Sequence, residues 1–445
     1  MFRFSATMWL GLIAFLGLRG ALCDHDSSVV DLSYKGLKKE DFFVKIQSQI
    51  HLHNKTDLIL RGNEFDSFLD CSTKLDNLRK LDLSENHLQR FFFLCKEEYN
   101  LEILNVSHNQ LEYIDDYALN DRIPKLRVLD LSWNKLTVVN ETMLEHMKML
   151  QFLSVANNPV AEIHEDSFST LRSLLHLDLS NISASDFSAG LFKPLTKLTY
   201  LNLSSNPIVT IPFLPISLQE LDISRTDIFY PENLLLPQLV SLQMNWMPNL
   251  TAILLNDFEN LTMLESLSME GSKKLTEFRV WPPNSRLLPR LQRLSIKNCS
   301  IESLNGELRP IMQRTPVVDL QFNPWHCDCR MQWVNRLQLT NELSQEIRCK
   351  SPPLLEGKCL ADIPNVELRC EDNNWTIYPI VWSAIGVLIV ALFAMIVFVV
   401  MKRPISQWKL PTRGGNTVSY KNVVESNNDL IRILTPGETS DRAEE

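Results

Sequence analysis

The sequence predicts a solenoid, in which short strand-bearing units stack in chain order over one continuous core. Three observations carry this. A pattern L-x-x-L-x-L-x-x-N-x-L recurs, as "LRKLDLSENHL" from Leu78, "LEILNVSHNQL" from Leu101, "LRVLDLSWNKL" from Leu126, "LQFLSVANNPV" from Leu150 and "LTYLNLSSNPI" from Leu198. The copies lie mostly 23 to 25 residues apart. Inside each copy the L-x-L step has the period of two that belongs to a strand, and the 3.5 or 3.6 period of a helical repeat is missing.

Each unit has its own rationale. Two leucines on one strand face, joined by others that turn the same way, cannot be buried by one unit alone; stacked neighbours bury them. The asparagine (Asn86, Asn109, Asn134, Asn158, Asn206, Asn323) falls where the strand bends away, and its amide can pair backbone groups the bend leaves open. Weaker copies begin at Leu174, Leu218, Leu239, Leu264 and Leu291, a last one at Thr315, and degraded first units lie at Val29–Leu37 and Leu58–Phe65. That makes about thirteen. Ile182, Thr226, Met247, Ser272 and Cys299 replace the asparagine in five of them.

On these motifs the chain resembles the extracellular leucine-rich-repeat family over residues ~27 to 370. The resemblance implies an α/β-type leucine-rich-repeat solenoid, curved, with a parallel β-sheet on the concave face and an irregular convex side. Steps of 20 and 21 residues after Leu198 and Leu218, then of 25 and 27, together with "IPFLPISL" and "VWPPNSRLLPR", predict irregular convex loops between about 206 and 290.

The ends read differently. Residues 1–23 combine an early Arg3, an apolar run from Met8 to Leu18 and small residues before Asp24, the pattern of a secretory signal peptide. Residues 377–401, "IYPIVWSAIGVLIVALFAMIVFVVM", carry no charge; as a helix they reach about 37 Å, more than the ~30 Å hydrocarbon core. Lys402 and Arg403 follow at once, which places the C-terminus in the cytoplasm of a plasma-membrane, single-pass type I protein. The expected organisation is signal peptide 1–23, solenoid 24–322, cap 323–370, linker 371–376, transmembrane helix 377–401 and a disordered cytoplasmic tail 402–445. "YKNV" at Tyr420–Val423 matches a tyrosine-based sorting pattern only loosely, and plain disorder is the favoured reading. Between signal and helix there are 35 basic and 47 acidic residues, a net of −12, which argues against nucleic acid as the main ligand.

Signal cleavage removes Cys23 and leaves eight cysteines in an oxidising compartment, where pairing is the default. Cys327, Cys349, Cys329 and Cys370 follow the last unit at once, and "NPWHCDCRMQWV" and "CKSPPLLEGKCL" resemble the C-terminal cysteine-rich cap of the family. The resemblance implies Cys327–Cys349 and Cys329–Cys370 bonds. A cap is needed because the last rung exposes leucines that no neighbour covers. Zinc is the weaker reading, since C-x-C is tight for two ligands of one tetrahedral ion. Cys71 and Cys95 stand one repeat apart, either bonded across adjacent rungs or as two buried thiols. Cys299 suits the asparagine position; whether it pairs with Cys359 is open. No cysteine lies between Asp24 and Asp70, so the amphipathic segment from Tyr34 is expected to cover that end instead.

No catalytic constellation is present: no G-x-S-x-G, H-E-x-x-H or phosphate loop, and "HLH" at His51–His53 reads as a polar strand edge. The expectation is no enzyme, no metal and no cofactor. A binding surface is better supported. Val128, Phe152, His176 and Tyr200 hold the third position in four consecutive units, and Trp133 and Trp246 hold the eighth, all projecting from the sheet as candidate ligand contacts. Sequons at Asn54, Asn105, Asn140, Asn181, Asn202, Asn249, Asn260, Asn298 and Asn374 fit secretion. Asn105 and Asn202 fall between strand leucines and, if glycosylated, would shield part of the concave face. The resemblance implies a cell-surface protein-binding receptor or adhesion molecule whose partner is an extracellular protein. The alternative is an accessory protein acting in cis to hold, present or internalise another receptor or its ligand. Homo-oligomerisation is left open.

Overall fold

A computed structural model describes residues 28–41, 52–69, 75, 77–94, 98–115, 118–232, 234–284, 286–370 and 377–402. The proposed signal peptide, the linker 371–376, nearly all of the tail, Cys71, Cys95 and Asn374 lie outside the described residues. The chain divides into two compact units, Met1–Glu371 and Asp372–Glu445.

The first unit is built on one parallel sheet of thirteen strands, ordered as in the chain. Each strand is three residues long, from Val29–Asp31 and Asp57–Ile59 to Arg293–Ser295 and Val317–Asp319. Parallel neighbours need a long return path, and the remainder of each unit supplies it. Every strand has a buried residue between two more open ones, because alternate side chains leave opposite faces. The inner residues Leu58, Leu81, Leu104, Leu129, Leu153, Leu177 and Leu201 are wholly buried and pair rung to rung. The register reproduces the sequence alignment: Val128, Phe152, His176 and Tyr200 are direct partners.

The asparagines form a buried ladder that ties each rung to the one before. Asn134 Nδ2 donates to the Val106, Leu131 and Ser132 carbonyls at 3.0, 3.0 and 3.2 Å, and Oδ1 accepts the Leu111 N–H at 3.0 Å. Asn63, Asn86, Asn109, Asn158, Asn206 and Asn323 do the same with local variations. Thr226, Ser272 and Cys299 keep a donor at this position; Cys299 Sγ donates to the Met269 carbonyl at 3.2 Å. Ile182 and Met247 do not, and the Val160 N–H turns instead to the Asn158 carbonyl. The residue before the ladder position has a positive φ in every rung. Eleven of these residues are not glycine, Trp133 (56°) and Trp246 (57°) among them. Only this left-handed step swings the chain off the strand quickly enough to place the asparagine inside.

The return paths are turns and short convex strands, Ser67–Leu69 paired with Arg90–Phe92 and Val138–Val139 with Glu162–Ile163, backed by aromatic layers. Phe68, Phe91, Phe93 and Tyr99 pack together near the N-terminal end, and Phe168, Phe187 and Phe192 further on. Asn140 caps the turn Glu141–Leu144 through its side chain. The expected irregularity between 206 and 290 holds only for its first part. Apart from the sheet strands, no strand or helix is described between Asn206 and Thr251, where the short steps leave room only for turns. Beyond that the longer steps fit a further convex strand pair, Ala252–Leu254 with Glu277–Arg279. A second correction concerns Leu52–Asn54, which form a 3-10 turn ahead of the second strand and not a strand edge.

The cap closes the far end. Trp325 is fully buried, its Nε1 donating to the Leu320 carbonyl at 3.1 Å, and Trp325–His326 pair with Cys349–Ser351. Cys327 is bonded to Cys349 and Cys329 to Cys370, with Cα–Cα distances of 5.6 and 4.9 Å. Asp328 between them accepts the Arg330 backbone N–H at 2.8 Å, which starts the turn Cys329–Met331. Cys299 and Cys359 are buried free thiols. In the second unit a helix spans Ile377–Met401, and its segment Trp382–Val399 is long and apolar enough to cross a membrane.

Candidate binding face

The sheet presents three side-chain columns to solvent. The third-position column carries a stack of rings across three rungs. Phe152 and His176 lie 4.6 Å apart at 17°, and His176 and Tyr200 3.9 Å apart at 3°. Strands repeat every ~4.8 Å, so the ring tips converge, as they do on the inner side of a bend. This is the concave face. Burial between the two neighbouring rings pushes the His176 pKa down to about 4, so the imidazole is neutral at physiological pH. Burial likewise pushes the Tyr200 hydroxyl up. The stack is therefore an uncharged ridge on a rigid sheet.

The fifth-position column is polar and has a structural duty. Asp82, Asn105, Asp130, Asp178, Asn202 and Asp222 each accept the N–H of the serine two residues on, at 2.8–3.0 Å. This Asx turn ends the strand. It also means that the N-x-S sequons at Asn105 and Asn202 are neutral versions of the same D-x-S turn. Burial pushes the Asp130, Asp178 and Asp222 carboxyls up. Asp130 is 4% exposed, with no cation paired to it among the described contacts.

A testable consequence follows for stability. A carboxyl with a raised folded pKa costs stability once ionised, and the cost is absent below the ordinary Asp range near pH 4. Asp130→Ser, which copies the native Ser154 at the same position, is expected to unfold at higher denaturant than the parent at pH 7. At pH 3 the two should coincide. Urea titrations at both pH values read this directly.

The eighth-position column forms the edge. Trp133 is half exposed and stacks on His108 at 5.2 Å and 10°. Trp246 lies across Gly271 of the next rung, where a Cβ would come within 2.5 Å of its ring. Between edge and sheet, Lys80, Asp82, Asn105, His108, Asp130 and Trp133 line a cavity of about 390 Å³. The structure thus gathers Val128, Phe152, His176 and Tyr200 into one row. It sets Trp133 on the opposite wall and Trp246 further along that edge. His108, not singled out from sequence as a contact, is Trp133's stacking partner; its matching eighth position on the rung before was the available signal. Among the described residues no cluster of metal-ligating side chains is present. Asn54, Asn181 and Asn260 are exposed.

Known proteins agree with this architecture. A leucine-rich-repeat family model matches residues 99–160 and 153–208. Human vasorin is 26% identical over 117 residues, 25% of this chain and 17% of vasorin. Mouse CD180 antigen is 24% identical over 342 residues, 69% of this chain and 42% of that protein. The matches thus span less than half of either relative. A leucine-rich-repeat protein of Leptospira interrogans superposes with a TM-score of 0.55 at 21% identity, over 71% of this chain and 83% of the other, a likeness of fold. The chain has the leucine-rich-repeat solenoid fold, with a disulfide-stapled C-terminal cap and, among the described residues, one helix long and apolar enough to cross a membrane.

Proposed function

We propose that the chain is a membrane-anchored receptor or adhesion protein that captures another extracellular protein on the concave face of its solenoid. In this reading the solenoid lies outside the cell and the C-terminus in the cytoplasm. The observation that supports it most is the row Phe152–His176–Tyr200, three partly exposed rings stacked in contact on the sheet. Aromatic anchors that lose little freedom on binding are the commonest hot spots of protein interfaces. The acidic exterior speaks against a polyanionic ligand.

Cells displaying the full chain are mixed with unlabelled cells, and captured surface proteins are cross-linked and identified. Capture in trans, weakened at least tenfold by Tyr200→Ala with an unchanged melting temperature, is the expected result. Capture that ignores Tyr200→Ala would remove the concave face from the account. Co-purification of a receptor from the same membrane, without capture in trans, would assign the accessory role in cis.

A further inference from the structure

We propose that the concave groove takes an extended polyproline-II segment of its protein partner, one that carries lysine or arginine at every third residue. This rests on the protein-binding reading above and narrows it to a partner of stated chemistry.

The groove has two walls and a floor. The ring stack Phe152–His176–Tyr200 borders the floor on one side over three rungs, and the His108–Trp133 pair borders it on the other side over the two rungs before them. The seventh position between them is small in successive rungs: Ser107, Ser132, Ala156, Ser180 and Ser204. The floor carries Asp82, Asp130, Asp178 and Asp222 on alternate rungs, with Asn105, Ser154 and Asn202 between. Each of these carboxylates spends Oδ1 on its own turn, which leaves Oδ2 to meet an incoming cation.

The spacing selects the conformation. Alternate rungs repeat every ~9.6 Å at the backbone, narrowing toward the side-chain tips of this face as the stacked rings do. A polyproline-II chain rises ~3.1 Å per residue with three residues per turn, so every third side chain returns to one face after ~9.3 Å. A β-strand turns successive side chains to opposite faces and repeats on one face at ~6.8 Å. An α-helix is ~10–12 Å across and brings residues back to one line only after ~10.5 Å, at i and i+7. Proline rings between the cations suit the aromatic wall, and polyproline II leaves its backbone carbonyls free for the serine and asparagine groups beside them. Charge complementarity names the cations, because three of the four carboxyls are pushed up by burial and gain from a positive neighbour. The ladder is bounded: Lys80 and Arg61 stand at one end, and Gln243 follows Asp222 at the other. Four carboxylates call for four cations, a segment of about twelve residues at this rise.

The test uses the full-length chain in nanodiscs, with Ser107→Ala and Ser204→Ala to remove both concave sequons while keeping the asparagine turn acceptors. The probe is the capped peptide (Pro-Pro-Arg)4, titrated by calorimetry beside three others. These are (Gly-Ser-Arg)4, (Pro-Pro-Glu)4 and a block peptide of eight prolines followed by four arginines. The expected result is binding of (Pro-Pro-Arg)4, at least tenfold weaker binding of the flexible and block peptides, and none of the acidic one. Asp130→Ser/Asp178→Ser/Asp222→Ser should weaken (Pro-Pro-Arg)4 at least tenfold while the chain stays folded. Asparagine is avoided there because it would create new sequons. Equal affinity for the flexible or block peptide, an unaffected triple variant, or no binding of (Pro-Pro-Arg)4 would overturn the proposal. If the peptide fails while Tyr200→Ala still abolishes capture in trans, the polyproline reading falls and the broader protein-binding reading stands.

Discussion

Asn134→Ala should cost roughly 3 kcal/mol, out of proportion to the few atoms it removes. Asn134 is 7% exposed, and its amide closes four hydrogen bonds at 3.0–3.2 Å. The Val106 and Leu131 carbonyls would each keep one partner, in the Asn109 and Asn158 amides. The Leu111 N–H would keep none, and a buried unpaired donor costs about 1–3 kcal/mol on top of the lost bonds. The rung holding Ile182 shows how the chain avoids this penalty. There the Val160 N–H finds the Asn158 carbonyl at 2.9 Å, so no donor is stranded. A stack of nearest-neighbour rungs can open locally. Hydrogen exchange of the amides from Leu104 to Leu136 is therefore the sharper readout, with protection falling by about two orders of magnitude. A loss confined to Leu111 alone would show that the ladder is not cooperative.

The repeat frame was legible in the sequence because burial enforces it. Each leucine of L-x-x-L-x-L sits where its neighbours must cover it, so thirteen units could be aligned, and their strands pair in that register. The convex side was less legible. Whether a return path forms a strand or only turns is not set by leucine spacing alone: the units from Leu150 and Leu174 both span 24 residues, and only the first carries a convex strand, Glu162–Ile163. The site was half legible. The row of Phe152, His176 and Tyr200 follows from the register, and so does its contact. Asn105 and Asn202 were placed from sequence between the strand leucines, but the turn bond that they share with Asp130 and Asp178, written as N-x-S and D-x-S in rung after rung, emerges only from the structure. The pairing of His108 with Trp133 needed the left-handed backbone at the eighth position, a conformation a tryptophan rarely adopts and one that no residue preference would have suggested.

The concave face can be blocked by a single designed glycan. Ser154 lies on the first rung of the ring row, two residues after Phe152 on the same strand, and midway along the fifth-position column from Asp82 to Asp222. Ser154→Asn with Ala156→Ser writes N-V-S there, the tripeptide that the native chain carries at Asn105–Ser107. The turn survives, because Asn105 and Asn202 already hold it with the same groups. Ser154→Asn alone changes the same side chain without creating a sequon. The direct measurement is capture in trans by cells displaying each variant, with occupancy at residue 154 read by mass spectrometry. If the concave face is the binding surface, the glycosylated double variant loses capture and Ser154→Asn alone keeps it. Undiminished capture by a chain fully glycosylated at residue 154 would contradict the account.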